Sequence, residues 1–525
     1  MLYRAFATVG GLTMISRVLG FVRDILIAAA LGSGVVADAF FVAFRFPNLF
    51  RRLFGEGAFN AAFVPLFAKR LEGEGEGPAR RFAEEAMSVL CFALLGFSAV
   101  VMLAMPWLML ALAPGFIENP AKYDLAVLLS QITFPYLLCM SLVALLSGVL
   151  NSLGRFWTAA AAPILLNIVL IGAISFAIWM GYTERYGAGI ILSVGVTVAG
   201  IAQLAMVSIA VRRAGLSLKL RWPRYTPGVK RLVELGIPGV IAGGITQINI
   251  VVGTIIASMQ AGAVSYLYYA DRLYQLPLGI VGVAIGVVLL PELSRKFRAG
   301  EHEAAMQSQN RSLEFALMLT IPAAVALAVA ANPIISVLFE RGAFTAADTQ
   351  ATAPALAAFA IGLPGFVLIK VFQPAFFARE DTKTPMRYAG VNMVINITGS
   401  LGMFYLFKSW GYPPHVGIAL ATSIAGWANA LLLGIALIRR GDFVVDGRLM
   451  RNLPIIIIAS LAMGASLWFV VPHLAPYVAA EAMLGIRIAA LGGLVALGCI
   501  IFFAPMMVTG VLNVRQLGGM ARQKN

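Results

Sequence analysis

Seven cationic side chains, Arg17, Arg23, Arg45, Arg51, Arg52, Arg272 and Lys370, stand inside stretches that are otherwise apolar, with four acids, Asp24, Asp38, Glu56 and Asp271, beside them. A guanidinium is a planar fork that grips phosphate or carboxylate through two parallel hydrogen bonds. Seven cations against four acids leave a positive surplus, so the chemistry open to such a set is the binding of an anion, best a phosphorylated one. Asp38, Arg45 and Arg52 are spaced by seven residues, which in a helix places them nearly on one face over about 21 Å of rise. Arg17 and Asp24 share a face by the same spacing, and Arg23 points elsewhere. Gly55 and Gly57 flank Glu56 and give the backbone freedom to flex there.

The elements that carry these charges must cross a membrane. The chain of 525 residues is 60% hydrophobic and 12% charged, with a mean hydropathy of +0.88, where soluble domains are about 25% charged. A bilayer core takes about 20 apolar residues per helix. Fourteen candidates meet this, at 8–31, 35–54, 84–112, 125–150, 159–181, 188–211, 231–259, 264–292, 313–339, 352–377, 386–407, 415–438, 453–475 and 483–510. A cleaved signal peptide does not fit the first 30 residues, because Arg17, Arg23 and Asp24 interrupt any uncharged core. Cys91, Cys139 and Cys499 sit singly in apolar runs and the three histidines are far apart, which suggests neither a disulfide framework nor a zinc site.

Both termini fall on one side for an even number of spans. With the termini in the cytoplasm, 27 of the 39 Lys and Arg lie on that side, seven of them between 212 and 231, against four outside, Lys122, Arg185, Arg341 and Lys408. This obeys the positive-inside rule. The net charge of +15 therefore orients the protein and does not imply nucleic acid.

Landmarks recur about 229 residues apart: Pro135 and Pro364, Asn167 and Asn396. Each half then holds six spans, and an even number makes the repeats parallel about an axis along the membrane normal. The expectation is an all-α integral membrane protein of 14 helices in two six-helix lobes that enclose a cavity, with two further C-terminal helices. The corresponding boundaries are 1–220, 221–445 and 446–525, the third segment beginning in an arginine-rich linker, 439–452.

A charge at membrane depth costs about 2.5–3.5 kcal/mol on insertion scales, so it persists where a partner or water meets it. Snorkelling to the interface serves Arg51, Arg52 and Arg487, and Asp24, Asp38 and Asp271 can neutralise neighbouring arginines. Neither serves Arg17, Arg23 and Arg272 at mid-span. A voltage sensor also spaces its arginines regularly, but Asp38 and Pro47 fit it poorly. A hydrated cationic cavity accounts for the set, and Asp24, Arg45, Asp271 and Ser265 are assigned as its gate or charge partners.

At "SRVLGFVRD" (16–24), "ADAFFVAFRFPNLFRRLFGEGAFNAAFVPLF" (37–67) and "YYADRLYQLPLGIVGVAIGVVLLPELS" (268–294) the sequence resembles the MurJ (MviN) family of lipid II flippases, in the multidrug/oligosaccharidyl-lipid/polysaccharide exporter superfamily. The resemblance implies a transporter, not an enzyme. It would move undecaprenyl-diphosphate-linked GlcNAc-MurNAc-pentapeptide to the outer leaflet of the bacterial inner membrane, with the last two helices forming a groove for the lipid tail. It implies substrate-binding roles for Arg17, Arg23, Arg51, Arg272 and Asp38, and gate roles for Arg52 and Glu56. Partners implied are lipid II and membrane lipid, with the protein a monomer and cell-wall synthesis or division machinery nearby. The runner-up is a superfamily exporter of another lipid-linked oligosaccharide or of drugs. Some members of the family bind sodium through a carboxylate in helix 7 and polar or acidic groups in helices 11 and 12. Here the seventh span offers Thr246, Gln247 and Asn249, the eleventh Asn392, Asn396 and Thr398, and the eleventh and twelfth hold no acid. No cofactor is expected, a sodium site is not favoured, and Asn392 and Asn396 are expected as interhelical hydrogen-bond partners.

Overall fold

The computed structural model describes residues 2–51, 58–183 and 185–512. Among the described residues, eighteen α-helices and one short 3-10 helix, Pro114–Glu118, make up almost all of the regular structure. Ten segments among the described residues are long and apolar enough to cross a membrane. Two compact units divide the chain: residues 1–265 with 342–344, and residues 266–341 with 345–525.

The first unit contains α1 (Leu2–Leu31), α2 (Val35–Arg51), α3 (Ala58–Gly73), α4 (Glu76–Leu103), α5 (Met105–Leu112), α6 (Pro120–Thr133), α7 (Tyr136–Ser152), α8 (Trp157–Trp179), α9 (Tyr186–Arg213) and α10 (Pro227–Ser258). The span expected at 84–112 is divided after Leu103, where Pro106 opens a new helix, and the one at 125–150 is divided at Pro135, because proline has no N–H for the preceding turn. Helix α3 was not among the expected spans, since Lys69, Arg70 and Glu72 make its second half polar. In a bilayer each freed backbone group needs a partner. Pro47, inside α2, cannot bond the Ala43 carbonyl, and Thr133 Oγ1 donates to that oxygen instead, at 3.1 Å.

The second unit contains α11 (Ala263–Arg298) from Tyr266 onward, α12 (His302–Val329), α13 (Ala331–Phe339), α14 (Ala346–Phe377), α15 (Lys383–Ser409), α16 (Pro414–Arg439), α17 (Gly447–Val478) and α18 (Leu484–Val508). Helices α14 and α16 approach through small residues. A Cβ on Gly362 would stand 2.5 Å from Ser423 Oγ, so glycine leaves the room in which Ser423 Oγ donates to Ala358 O at 2.6 Å. On α15, Asn396 Oδ1 accepts from Thr422 Oγ1 of α16 at 3.1 Å, the interhelical role expected of it.

Helices α17 and α18 are fastened to α12 twice. Ile456, Met463, Leu494 and Phe502 pack with Val325 and Val329 in one apolar cluster. Near the middle of α12, the buried Glu314 carboxylate accepts from Asn452 Nδ2 at 2.6 Å and from Arg448 Nε at 3.3 Å, both on α17, while Arg311 pairs with both Glu314 and Asp446. Part of the arginine-rich linker is thus neutralised: Arg448 by Glu314, and Arg440 by Asp381 at 2.8 Å. Arg487 departs from its expected outward reach. It is 4% exposed and donates to Glu340 O at 3.1 Å, just past the end of α13, and to Ser336 O at 2.6 Å, which also accepts from Glu340 N, because carbonyls at a helix C-terminus are short of helical donors.

Hydrogen bonds from Thr384 Oγ1, Arg440 and Thr384 N hold the Asp381 carboxyl down at about 2. An unfolded Asp titrates near about 3.9, so this group favours the folded state above about pH 4 and that contribution is lost as pH falls towards about 2. Asp381→Asn is expected to flatten the acid limb of the unfolding midpoint over that window, measured by thermal unfolding in detergent at a series of pH values.

Candidate functional site

On α1, Arg23 and Asp24 are 6% and 2% exposed. Arg23 donates from Nε and Nη2 to Asp24 Oδ1 at 3.0 and 2.7 Å, and from Nη1 to Asn167 Oδ1 of α8 at 2.9 Å. The Asn167 amide donates in turn to Ser16 O at 2.9 Å, which fixes its orientation. The arginine that Asp24 neutralises is thus its chain neighbour Arg23. The long Arg23 side chain folds back onto its neighbour's carboxylate, and a buried charge pair with further hydrogen bonds is the arrangement burial demands. Arg17 is half-buried and makes no hydrogen bond or ion pair among the described residues, so its fork faces no competing carboxylate there.

Asp38 on α2 is fully buried. Its Oδ2 accepts from Lys122 Nζ at 2.6 Å and Gly262 N at 2.9 Å, and its Oδ1 from Ser265 N at 2.9 Å and Ser265 Oγ at 2.6 Å. Gly262 takes a left-handed φ of 76° just before α11, and the two backbone donors are free because the first turn of a helix has no internal acceptors. A carboxylate at that end also meets the positive pole of the helix dipole. Asp38 thus acts here as an anchor between α2, α6 and the start of α11. Ser265 is its partner, and Lys122 is the cation that neutralises it. Lys122 was expected in an outer loop. It is 6% exposed, lies in the first turn of α6, and its Nζ stands 4.1 Å from the centre of the Phe116 ring.

Arg45 Nη1 donates to Thr254 Oγ1 of α10 at 2.6 Å. Asp38 and Arg45 therefore both address the 254–265 stretch, so the spacing by seven does place them on one face. Arg51 Nε donates to Asn48 Oδ1 at 3.1 Å, one turn back on its own helix. Arg52 and Glu56 lie outside the described residues. In the second unit, Arg272 Nη2 donates to Tyr268 Oη at 3.1 Å, with its guanidinium 4.7 Å from the same ring's centre. Asp271 accepts from Gln275 Nε2, one turn on. Lys370 on α14 is exposed.

The donors offered to a sodium ion fit it poorly. Asn396 Oδ1 accepts from both Thr422 Oγ1 and Ser400 Oγ, so the oxygen a cation would take is engaged by hydroxyls. Gln247 is 9% exposed, and the side chain of Thr246 lies outside the described residues. No group of three or more His, Cys, Asp or Glu converges among the described residues.

Two functional neighbours escaped the sequence reading. Asn167 was visible only as a repeat landmark, yet it orients Arg23. Lys122 was counted by side of the membrane, although Asn119 and Pro120 form a helix-start signal that places it in a helical first turn.

The family profile described as lipid II flippase MurJ matches residues 27–486. The chain belongs to the MurJ family. A "Probable lipid II flippase MurJ" of Rhizobium tropici is 49% identical over 514 residues, covering 98% of this chain and 95% of the relative. The "Lipid II flippase MurJ" of Burkholderia cenocepacia is 37% identical over 450 residues, covering 84% and 85%. A solved structure titled "Lipid II flippase MurJ, inward closed conformation" has a TM-score of 0.76 at 25% identity, over 95% of this chain and 98% of that one. An inward-facing multidrug transporter of the MATE family in the MOP superfamily has a TM-score of 0.62 at 14% identity, over 83% and 97%, and shares the fold. MurJ is a family of transporters, and this member is an integral membrane protein of its helical fold.

Removing Asp38 leaves the Lys122 ammonium buried and unpaired, at a cost of about 3–5 kcal/mol. Asp38→Ala is expected to lower the unfolding midpoint sharply in detergent, and Asp38→Asn with Lys122→Met to recover most of it. A double-mutant cycle by thermal unfolding measures this coupling.

Proposed function

We propose that this protein flips lipid II, the undecaprenyl-diphosphate-linked disaccharide pentapeptide, from the cytoplasmic to the outer leaflet of the bacterial inner membrane. Membership of the MurJ family over nearly the whole chain carries the reading. The proposal includes 14 membrane-crossing helices, six in each of two repeats and two added at the C-terminus, with boundaries at 1–220, 221–445 and 446–525 and both termini in the cytoplasm. Helices α17 and α18 guide the lipid tail. The protein acts as a monomer beside cell-wall synthesis or division machinery, and no cofactor enters the cycle.

Transport proceeds by alternating access through a cationic cavity. Arg17, Arg51 and Arg272 grip the diphosphate, and Arg23 adds a charge whose direction Asp24 and Asn167 set. Asp38 with Ser265 and Lys122 holds one gate, and Arg52 and Glu56 serve the other. Arg45 and Asp271 trim the local charge. A diphosphate of about −2 leaving a negative-inside cell gains about 4.6 kcal/mol per 100 mV if its charge crosses unaccompanied, so membrane potential is a sufficient driver.

The test is translocation of fluorescent lipid II in proteoliposomes under an imposed potential. The expected result is a rate that rises with inside-negative potential and is abolished by Arg17→Glu, Arg51→Glu or Arg272→Glu in proteins that retain the wild-type unfolding midpoint. Transport left intact by all three reversals removes the cavity assignment, and a rate indifferent to potential removes the coupling.

A further inference from the structure

Residues 214–226 join α9 to α10 without forming a helix. Their path is fixed by α4. Glu84, 1% exposed, accepts from Lys219 N at 3.2 Å and from Arg221 Nε at 2.5 Å; Ser88 Oγ accepts from Arg221 N at 2.9 Å; and Thr226 Oγ1 donates to Glu85 at 2.8 Å. The segment is a strap tied down through its backbone and one arginine. Its two acidic neighbours on α4 are thus turned inward.

What the strap turns outward is of one sign. The stretch 212–231 contains seven cations and no acid. Arg212, Arg213, Lys219, Arg224, Lys230 and Arg231 are exposed. Among them stand Leu220, Trp222 and Tyr225, exposed by 57%, 78% and 66%. The Trp222 ring lies 5.5 Å from that of Phe92, one turn beyond Ser88 on the apolar part of α4. The strap therefore sits at the level where α4 passes from polar to membrane-crossing sequence. Tryptophan and tyrosine favour that level of a bilayer, and clustered cations beside a span attract anionic lipid.

We propose that the 214–226 strap is a headgroup site for anionic phospholipid, with Lys219 and Arg224 on the phosphate and Leu220, Trp222 and Tyr225 among the upper acyl carbons. The choice of lipid over a soluble acidic partner rests on Trp222, whose contact with Phe92 places the strap against a membrane-crossing surface. The site is independent of the substrate assigned above.

The full-length protein in nanodiscs of phosphatidylcholine, with and without phosphatidylglycerol, tests it. The expected result is selective retention of phosphatidylglycerol in native mass spectrometry, reduced about fivefold for each charge removed in Lys219→Gln and Arg224→Gln. The side chains of Lys219 and Arg224 make no hydrogen bond among the described residues, so these variants are expected to keep the wild-type unfolding midpoint. Brominated phosphatidylglycerol should quench Trp222, read as the difference between wild type and Trp222→Phe. Equal retention of both lipids, selectivity unchanged in the two variants, or a Trp222 signal that brominated lipid leaves untouched while an acidic peptide or RNA shifts it, overturns the proposal.

Discussion

A carboxylate with no access to water must be satisfied by its own protein. Asp38 meets that demand with an ammonium, a hydroxyl and two backbone amides drawn from two separate parts of the sequence, Lys122 and the turn at 262–265. The consequence is geometric. An ion held on four sides at hydrogen-bond distance fixes where α2 stands against α6 and against the turn that opens α11. Arg45, two turns along α2, then has its direction set as well, and meets Thr254. Losing any one donor exposes the rest of the cluster to the full penalty of burial.

The same rule, applied to Arg23, explains why a guanidinium and a carboxylate sit side by side in the sequence. Adjacent helical residues normally diverge, but arginine is long enough to return to Asp24. Asn167 then takes the remaining arm. The result is a guanidinium whose orientation is already decided, on the same helix as Arg17. Pre-set donors of this kind lose little freedom on binding.

The helical membrane fold was legible because hydrophobic length is a one-dimensional property. Fourteen apolar stretches could be marked without knowing what touches what, and among the described residues they are helical, ten segments being long and apolar enough to cross a membrane. Breaks inside those stretches were harder, since proline at 47 is carried within a helix, with Thr133 bonding the carbonyl it leaves free, while proline at 135 stands between two. The charged residues could be picked out by their cost. Their partners could not, because Asp24 and Asn167, or Asp38 and Lys122, are joined by packing between distant segments. Arg487 illustrates the limit: at the edge of a span it read as a side chain for water, whereas the short α13 left carbonyls nearby that needed it.

That last helix end has a bearing on how the protein could be shortened. Ser336, Val337, Leu338 and Glu340 present carbonyls that are served by Arg341 from within and by Arg487 from α18. A chain cut before its final span would therefore forfeit a hydrogen-bond donor. It would take the Arg487 donor from Glu340 O and leave Ser336 O with the Glu340 N–H alone, so the closing helix is also a structural part of the bundle that precedes it.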